Sequence, residues 1–283
     1  MHYTYGRGYY EEYRYEDDFE NYGLSNVVVG GDTITSTDLV RRRWLNNNFY
    51  GITYSANYEK EKLSSVLGGA WNQYVGDHFG QIIWAQISDV PKDYQYYFNR
   101  GEKNDFTVYW KSNYQFTENL TGFVDLQYRA VSYQASGKEN KQFDFNIDQQ
   151  FNFFNPKLGV TYQATDKQQW YASYAVGNRE PVRDDFIDAP AGRTPKHETL
   201  RNLEAGWRLN FNRVNLTLNY YLMNYKNQLV PTGELNDVGA IIRTNVDQSL
   251  RTGIELDGSI RLSSKLSMEC KFYIESKSDK GIQ

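Results

Sequence analysis

Residues that carry metal, redox or nucleophilic chemistry are scarce in this sequence. It has one cysteine, three histidines and six prolines among 283 residues. The single cysteine, Cys270, excludes an intrachain disulfide and a cysteine metal cluster. The histidines, His2, His78 and His197, lie in three distant segments without the spacing of metal or haem ligands. We therefore expect no resident metal ion or cofactor.

Two further absences narrow the class of protein. The 31 basic and 35 acidic residues are mixed along the chain, so no basic stripe is available to bind nucleic acid. No segment approaches the roughly 18 consecutive apolar residues of a membrane-spanning helix. The mean hydropathy of -0.74 does not exclude a membrane protein, because only alternate residues of a transmembrane strand face lipid.

Enzymatic motifs are also missing. The acidic clusters at Glu16 to Asp18 and at Asp184 and Asp185 lack the surrounding oxygen-ligand loop of a calcium site. The glycines in Gly6 to Gly8 and at Gly30 and Gly31 do not lie between a strand and a helix, so turns explain them better than phosphate-binding loops do. No serine nucleophile elbow or zinc-protease motif occurs. We expect a protein that is not an enzyme.

Aromatic residues and period-two alternation are abundant. The chain has 25 Tyr, 15 Phe and 6 Trp, and Tyr and Trp concentrate where barrel strands cross the membrane interfaces. The segment from Arg213 to Lys226 is the clearest example of alternation. One parity carries Val214, Leu216, Leu218, Tyr220 and Leu222, and the other carries Asn215, Thr217, Asn219, Tyr221 and Met223. A strand with lipid on one side and water on the other must alternate in this way.

The alternating segments come in pairs that are joined by short polar links and separated by long polar inserts. We predict strands at roughly 2–10, 49–59, 63–75, 105–116, 120–134, 156–164, 168–178, 200–211, 213–226, 250–262 and 266–276. The inserts at roughly 11–48, 76–104, 135–155, 179–199 and 227–249 are predicted to be extracellular loops, with the short links on the periplasmic side. Within the first insert, Val27 to Val29 and Ile34 to Thr35 flank Gly30 to Asp32, which predicts a hairpin.

This pattern predicts an all-β chain that forms part of an antiparallel transmembrane β-barrel with long extracellular loops. A soluble β-sandwich rarely has so many strands of this length, since about nine to eleven residues are needed to cross a bilayer obliquely. About eleven strands cannot close an even-numbered bacterial barrel. We expect the missing strands to come from absent sequence of the same gene or from a second copy of the chain.

Both termini are expected to be truncated. Met1 to Arg14 lacks the apolar stretch and small-residue cleavage site of a signal peptide. Residues 275–283 form a polar segment where a finished barrel is expected to end on an aromatic residue. We therefore expect residues 1–283 to be one partial barrel domain, without a signal peptide or a plug domain.

Four stretches of the chain resemble the barrel of TonB-dependent outer-membrane receptors. They are Tyr5 to Tyr15 (YGRGYYEEYRY), Gly68 to Gly80 (GGAWNQYVGDHFG), Tyr171 to Asp185 (YASYAVGNREPVRDD), which is followed by the strand that begins LEAGW at Leu203, and Asn245 to Leu256 (NVDQSLRTGIEL). The last stretch is similar to the family's Asn-Val to Gly-Ile-Glu-Leu strand. Their order and spacing extend the likeness over nearly the whole chain.

The resemblance implies a function and a set of partners. In this family a plug domain fills a barrel of about 22 strands, and the TonB complex pulls on the plug at the expense of the proton gradient. The chain would then belong to an outer-membrane receptor of a Gram-negative bacterium that imports a siderophore-iron complex, a cobalamin-like cofactor or an oligosaccharide. Its partners would be lipid, lipopolysaccharide and the nutrient, with TonB acting only through a plug. The alternatives are a non-transporting adhesin barrel and a soluble carbohydrate-binding module.

Three residues are candidates for contact with the nutrient. His78 lies in a predicted outer loop. Arg179 and Arg183 lie where a strand meets an external loop, which suits an anionic ligand, although both could instead anchor the loop through Asp184 or Asp185. The run from Arg41 to Arg43 also falls in a predicted loop. It is interpreted either as a solvated charge run or as a site for lipopolysaccharide phosphates or an anionic ligand.

Overall fold

The computed structural model describes residues 1–87, 90–190, 192–236 and 239–280. In these residues eleven strands form one antiparallel sheet, and two short strands form a separate hairpin. The strands are β1 His2–Asp18, β2 Val27–Val29, β3 Asp32–Ile34, β4 Ser36–Lys60, β5 Leu63–Ala85, β6 Tyr94–Gln115, β7 Leu120–Lys138, β8 Asp144–Thr165, β9 Gln168–Arg179, β10 Glu198–Phe211, β11 Val214–Leu235, β12 Ile241–Arg261 and β13 Ser267–Lys280. A 3-10 turn spans Phe19–Tyr22, and one short helix, α1, spans Arg183–Ile187.

The order of strands in the large sheet is β1, then β4 to β13 in sequence. The hairpin of β2 and β3 lies outside this sheet, and it confirms the turn predicted around Gly30 and Gly31. No helix in the described part of the chain is long and apolar enough to cross a membrane.

The chain divides into two structural units. The first comprises Met1–Thr53, Ala70–Phe106 and Ala130–Phe151, and the second comprises Tyr54–Gly69, Thr107–Arg129 and Asn152–Gln283. The first unit has a small buried cluster made of Tyr22, Leu39, Ile82, Tyr96 and Tyr97.

The sheet of the second unit has two chemically distinct faces. Residues directly opposite each other on paired strands share a face, so the register identifies rows of side chains. One row is Tyr162, Trp170, Trp207, Leu218, Leu256 and Phe272, and the next is Val160, Ala172, Ala205, Tyr220, Ile254 and Ile274. We call this side the apolar face. On the apolar face Trp170 is 52% exposed and Ile254 is 49% exposed, so no part of the described chain covers this face. A lipid environment accounts for an apolar face that is exposed in this way.

The opposite side of the same strands, the polar face, carries hydrogen-bonding and charged residues. Its rows include Thr161, Tyr171, Gly206, Asn219, Glu255 and Tyr273, and Gln163, Gln169, Arg208, Thr217, Asp257 and Lys271. The alternation predicted for residues 200–211 and 213–226 is therefore the alternation between these two faces.

Glycines let tyrosines on the polar face bridge across a strand. Tyr171 lies opposite Gly206, and its hydroxyl donates to Asn219 Oδ1 on the next strand at 2.8 Å. A Cβ added to Gly206 would lie 2.4 Å from the Tyr171 ring. Tyr221 crosses Gly253 in the same way and donates to Glu275 Oε2 at 2.7 Å.

Short turns join the strand pairs where the sequence predicted them. In three of them a hydroxyl oxygen accepts hydrogen bonds from following backbone N–H groups, as Thr117, Thr165 and Ser263 do. Two other turns contain a residue with a left-handed backbone: Glu61, with a φ angle of 45°, and Asn212, with a φ angle of 52°.

The far ends of most strands require a correction. The predicted strand 49–59 begins at Ser36, 63–75 continues to Ala85, and 213–226 continues to Leu235. Most of the predicted loops at 11–48, 76–104, 135–155 and 227–249 are therefore strand, whereas the insert 179–199 does leave the sheet over residues 180–190 and 192–197. The prediction stopped where strict apolar alternation stopped, but backbone pairing continues through segments such as residues 76–85, where apolar and polar residues no longer alternate strictly.

Two charged segments of the first unit also differ from their predicted setting. The run from Arg41 to Arg43 lies in β4, not in a loop. Arg41 is buried and its Nε donates to Glu12 Oε2 at 2.8 Å, and Arg42 donates to Glu11 across the same strand pair at 3.4 Å. Arg41 and Arg42 therefore form cross-strand ion pairs, which leaves Arg41 unavailable to an external phosphate, and Arg43 donates to the Tyr97 hydroxyl at 3.4 Å.

The acidic cluster at the end of β1 is occupied by protein donors. Asp17 accepts hydrogen bonds from Tyr22, Asn21 and Arg14 at 2.7, 2.7 and 3.0 Å. Burial acts to raise the pKa of Asp17, but these hydrogen bonds outweigh it and hold the pKa below its ordinary value. The carboxylate therefore anchors the 3-10 turn to the strand.

Substitution on the apolar face tests this assignment. We expect Leu218→Arg to destabilise the barrel by about 2–4 kcal/mol, because it places a charge in lipid. Asn219→Arg, one residue further on the polar face, is the matched control and should be tolerated. Urea unfolding of the complete barrel in lipid vesicles measures both. Equal effects of the two substitutions would contradict the assigned faces.

The tyrosine bridges make a second prediction. Gly206→Ala should lower the free energy of unfolding by about 1–3 kcal/mol, because the new methyl group displaces the Tyr171 ring. Gly258→Ala is the control, since its Cβ would meet its nearest atom, Leu216 Cδ1, at 3.4 Å. The same urea unfolding measures both variants, and a Gly206→Ala barrel as stable as the control would refute the bridge.

Candidate ligand-binding site

The segment between β9 and β10, residues 180–197, is held by two ion pairs. Arg129 donates from Nη1 and Nη2 to the two carboxylate oxygens of Glu180, each at 2.8 Å. Arg243 donates to both carboxylate oxygens of Asp185, at 2.9 and 3.2 Å, and the Asp185 side chain is 3% exposed. Paired arginine and carboxylate groups of this geometry fix position as well as charge. The first half of the segment is therefore clamped to the sheet.

The second half of the segment is fixed by one asparagine. Asn245 of β12 accepts a hydrogen bond from the backbone N–H of Lys196 at 2.8 Å and donates to the Lys196 carbonyl at 3.0 Å. Its Nδ2 atom also donates to the carbonyl of Asn227 on β11 at 2.7 Å. Asn227 has a left-handed backbone, with φ of 53°, which turns this carbonyl away from the regular ladder. The Asn245 side chain therefore joins the segment, β11 and β12.

A cavity of about 370 Å³ lies between this segment and the ends of β11 and β12. Its lining includes Asp185, Arg193, Thr194, Lys196, Asn227, Leu229, Arg243, Asn245 and Asp247. The volume falls within the range of about 300–1,000 Å³ that is typical of small-molecule sites. The cavity lies at the end of the sheet opposite the short turns at 212–213 and 263–265.

The two predicted arginines lie beside this cavity but do not belong to the described residues that line it. Arg179 is the last residue of β9, and its Nε is 2.8 Å from Glu198 Oε1. Glu198 also accepts a hydrogen bond from the backbone N–H of Leu229 at 3.0 Å. Arg183 begins α1. Arg179 pairs with Glu198, which lies directly opposite it on β10, and not with Asp184 or Asp185, whereas Asp185 pairs with Arg243.

His78 lies within β5, in the first unit, and is half-buried. Its predicted position in an outer loop is therefore wrong, because β5 continues to Ala85. His197 is half-buried against Phe153, with ring centroids 5.4 Å apart. Burial and the nearby Lys226 charge lower the pKa of His197. The described residues contain no group of three His, Cys, Asp or Glu that could hold a metal ion.

Sequence reasoning missed the residues that form the cavity. Arg193 and Lys196 come from one insert, and Arg243, Asn245 and Asp247 come from a segment that was predicted to be a loop. The stretch beginning at Asn245 was recognised only as a strand pattern. The available signal was the polar parity of β12, which places Arg243, Asn245 and Asp247 at alternate positions.

The fold and this site define a class of protein. A two-faced antiparallel sheet with an uncovered apolar face, strands longer than a bilayer requires, and a polar cavity at one end is typical of a transmembrane β-barrel. The sequence model of the family described as TonB dependent receptor-like, beta-barrel, matches residues 2–279. The chain belongs to this family, as the resemblance predicted.

Solved structures share the fold. The copper transporter OprC has a TM-score of 0.69 and 12% identity, and the alignment covers 89% of this chain and 39% of OprC. The ferric yersiniabactin uptake receptor FyuA from Yersinia pestis has a TM-score of 0.59 and 16% identity, and the alignment covers 87% of this chain and 38% of FyuA. The ferric citrate transporter FecA has a TM-score of 0.59 and 15% identity, and the alignment covers 90% of this chain and 38% of FecA. The chain thus spans about two fifths of the length of these proteins.

The comparisons confirm the predicted fold class and family. Curated protein sequences gave no match to the chain. The family and the matching structures are receptors and transporters rather than enzymes, and barrels of this family belong to the outer membrane of Gram-negative bacteria.

The clamp at Asp185 predicts a local stability effect. Arg243→Ala leaves a buried carboxylate without its cation, which typically costs about 3–5 kcal/mol. We expect residues 185–196 to become sensitive to limited proteolysis while the membrane-spanning strands stay folded. Arg100→Ala is the control, because its ion pairs with Asp77 and Glu102 involve an arginine side chain that is 52% exposed. Unchanged protection of residues 185–196 in Arg243→Ala would show that the clamp is not needed.

Proposed function

We propose that this chain forms part of a receptor in the outer membrane of a Gram-negative bacterium that takes up a large, scarce nutrient. The family match over residues 2–279 carries the proposal. The cavity supports it, because a concave polar site at the end of the strands opposite the short turns faces the external medium in a barrel of this orientation. The nutrient classes are a siderophore-iron complex, a cobalamin-like cofactor or an oligosaccharide.

The proposed partners follow from the two faces of the sheet. Lipid and lipopolysaccharide surround the apolar face, and the polar face lines the interior of the complete barrel. Energy for uptake comes from the TonB complex, which acts through a plug domain. The chain itself contributes binding surface and barrel, and no chemical step on the nutrient is required.

The nutrient-contact residues predicted from the sequence stay within this proposal. Arg179 and Arg183 flank the segment over the cavity, so either can contact a ligand that extends beyond it. His78 supplies a half-buried imidazole in the first unit. A soluble carbohydrate-binding module does not account for the apolar face, and no observation favours a non-transporting adhesin.

Deletion of the gene in its native host tests the function. We expect uptake of one of the three nutrient classes to be lost, to return with a plasmid copy of the complete gene, and to stop when the proton gradient is dissipated. Transport of radiolabelled ferric siderophores, cobalamin and oligosaccharides by starved cells is the measurement. A deletion strain that takes up all three classes at the parental rate would contradict the proposal.

A further inference from the structure

We infer that the cavity beneath residues 185–190 and 192–196 binds an anionic, carboxylate-bearing chelate, with Arg193 and Lys196 as the residues that select its charge. The inference rests on the proposed uptake function and deepens it by naming the class of ligand. It follows from which charges around the cavity are already neutralised and which are not.

The innermost charges of the cavity cancel each other. Arg243 is committed to Asp185 through two hydrogen bonds, at 2.9 and 3.2 Å, and the Asp185 side chain is 3% exposed. A ligand gains little from either group, because breaking a buried pair to bind one partner leaves the other uncompensated. The pair therefore acts as a neutral, rigid support.

The remaining charges leave an excess of one positive charge. Arg193 and Lys196 are exposed, and neither takes part in an ion pair among the residues that the structure describes. Among the lining residues that the structure describes, the one remaining carboxylate is that of Asp247, which is also exposed and has no ion pair in the described chain. Two free cations and one free carboxylate favour an anion inside a concave surface, which concentrates their field.

The donor groups of Arg193 and Lys196 on the lining suit a ligand with several oxygen atoms. Asn245 donates from Nδ2 to the carbonyls of Lys196 and Asn227, and its Oδ1 accepts from the Lys196 N–H, so its donors shape the cavity and are not available to a ligand. Arg193 offers a planar fork of donors that matches a carboxylate, and Lys196 offers a mobile ammonium group. A compact polycarboxylate chelate of iron fits both the charge and the volume of about 370 Å³.

Binding of ferric citrate to the purified complete protein in detergent tests the inference, with a neutral hydroxamate chelate of iron as the comparison ligand. We expect Arg193→Glu and Lys196→Glu each to weaken ferric citrate binding by about three- to tenfold, and Asp247→Asn to strengthen it by about threefold. Added salt should weaken binding by the parent protein. Lys265→Glu, which makes the same charge change in the turn before β13, is the control and should leave binding unchanged.

The outcomes separate this inference from the proposed function. Failure of ferric citrate to bind, or equal binding by the parent protein, Arg193→Glu and Lys196→Glu, would overturn the inference even if cells take up another nutrient. Binding that responds to these substitutions as expected would support it even if cells showed no uptake, in which case only the proposed transport would fail. For each variant, circular dichroism and heat-modifiable gel mobility test whether the barrel is folded.

Discussion

Backbone hydrogen bonding in lipid is the constraint on which this structure depends. A strand that crosses a bilayer has no water to satisfy its N–H and C=O groups, so each strand must pair along its whole length with a neighbour. The short turns at Glu61 and Asn212 keep consecutive strands antiparallel and adjacent. Pairing fixes the register, and the register separates the row containing Leu218 from the row containing Asn219.

The same pairing carries the strands beyond the membrane, where different forces hold them. Apolar rows give way to ion pairs and side-chain hydrogen bonds, such as Arg129 with Glu180 and Arg243 with Asp185. The first pair joins Glu180 to β7, and the second joins Asp185 to β12. A polar cavity can form there because charged side chains, not a hydrophobic layer, join the segment to the sheet.

The sequence predicted the membrane part of the fold better than the external part. Residues 200–211 and 213–226 alternate clearly, and the structure places strands at Glu198–Phe211 and Val214–Leu235. The extra residues at the end of β11 were missed because strict apolar alternation stops there: Leu229 and Val230 are adjacent, and Pro231 follows them. The cavity could not be predicted, since Asp185 and Arg243 are 58 residues apart and meet only because the insert that contains α1 folds back onto β12.

The most direct test of the two-faced barrel is a scan of single cysteines along residues 214–223 in a Cys270→Ser background of the complete protein. In a first experiment each cysteine is exposed to a water-soluble maleimide, and labelling reports contact with water. In a second experiment each cysteine carries a fluorophore, and quenching by a nitroxide-labelled lipid reports contact with lipid. We expect strict alternation, with lipid contact at Val214, Leu216, Leu218, Tyr220 and Leu222 and aqueous labelling at the residues between them. Uniform aqueous labelling of both sets would contradict a membrane-spanning strand and, with it, the assignment of the apolar face.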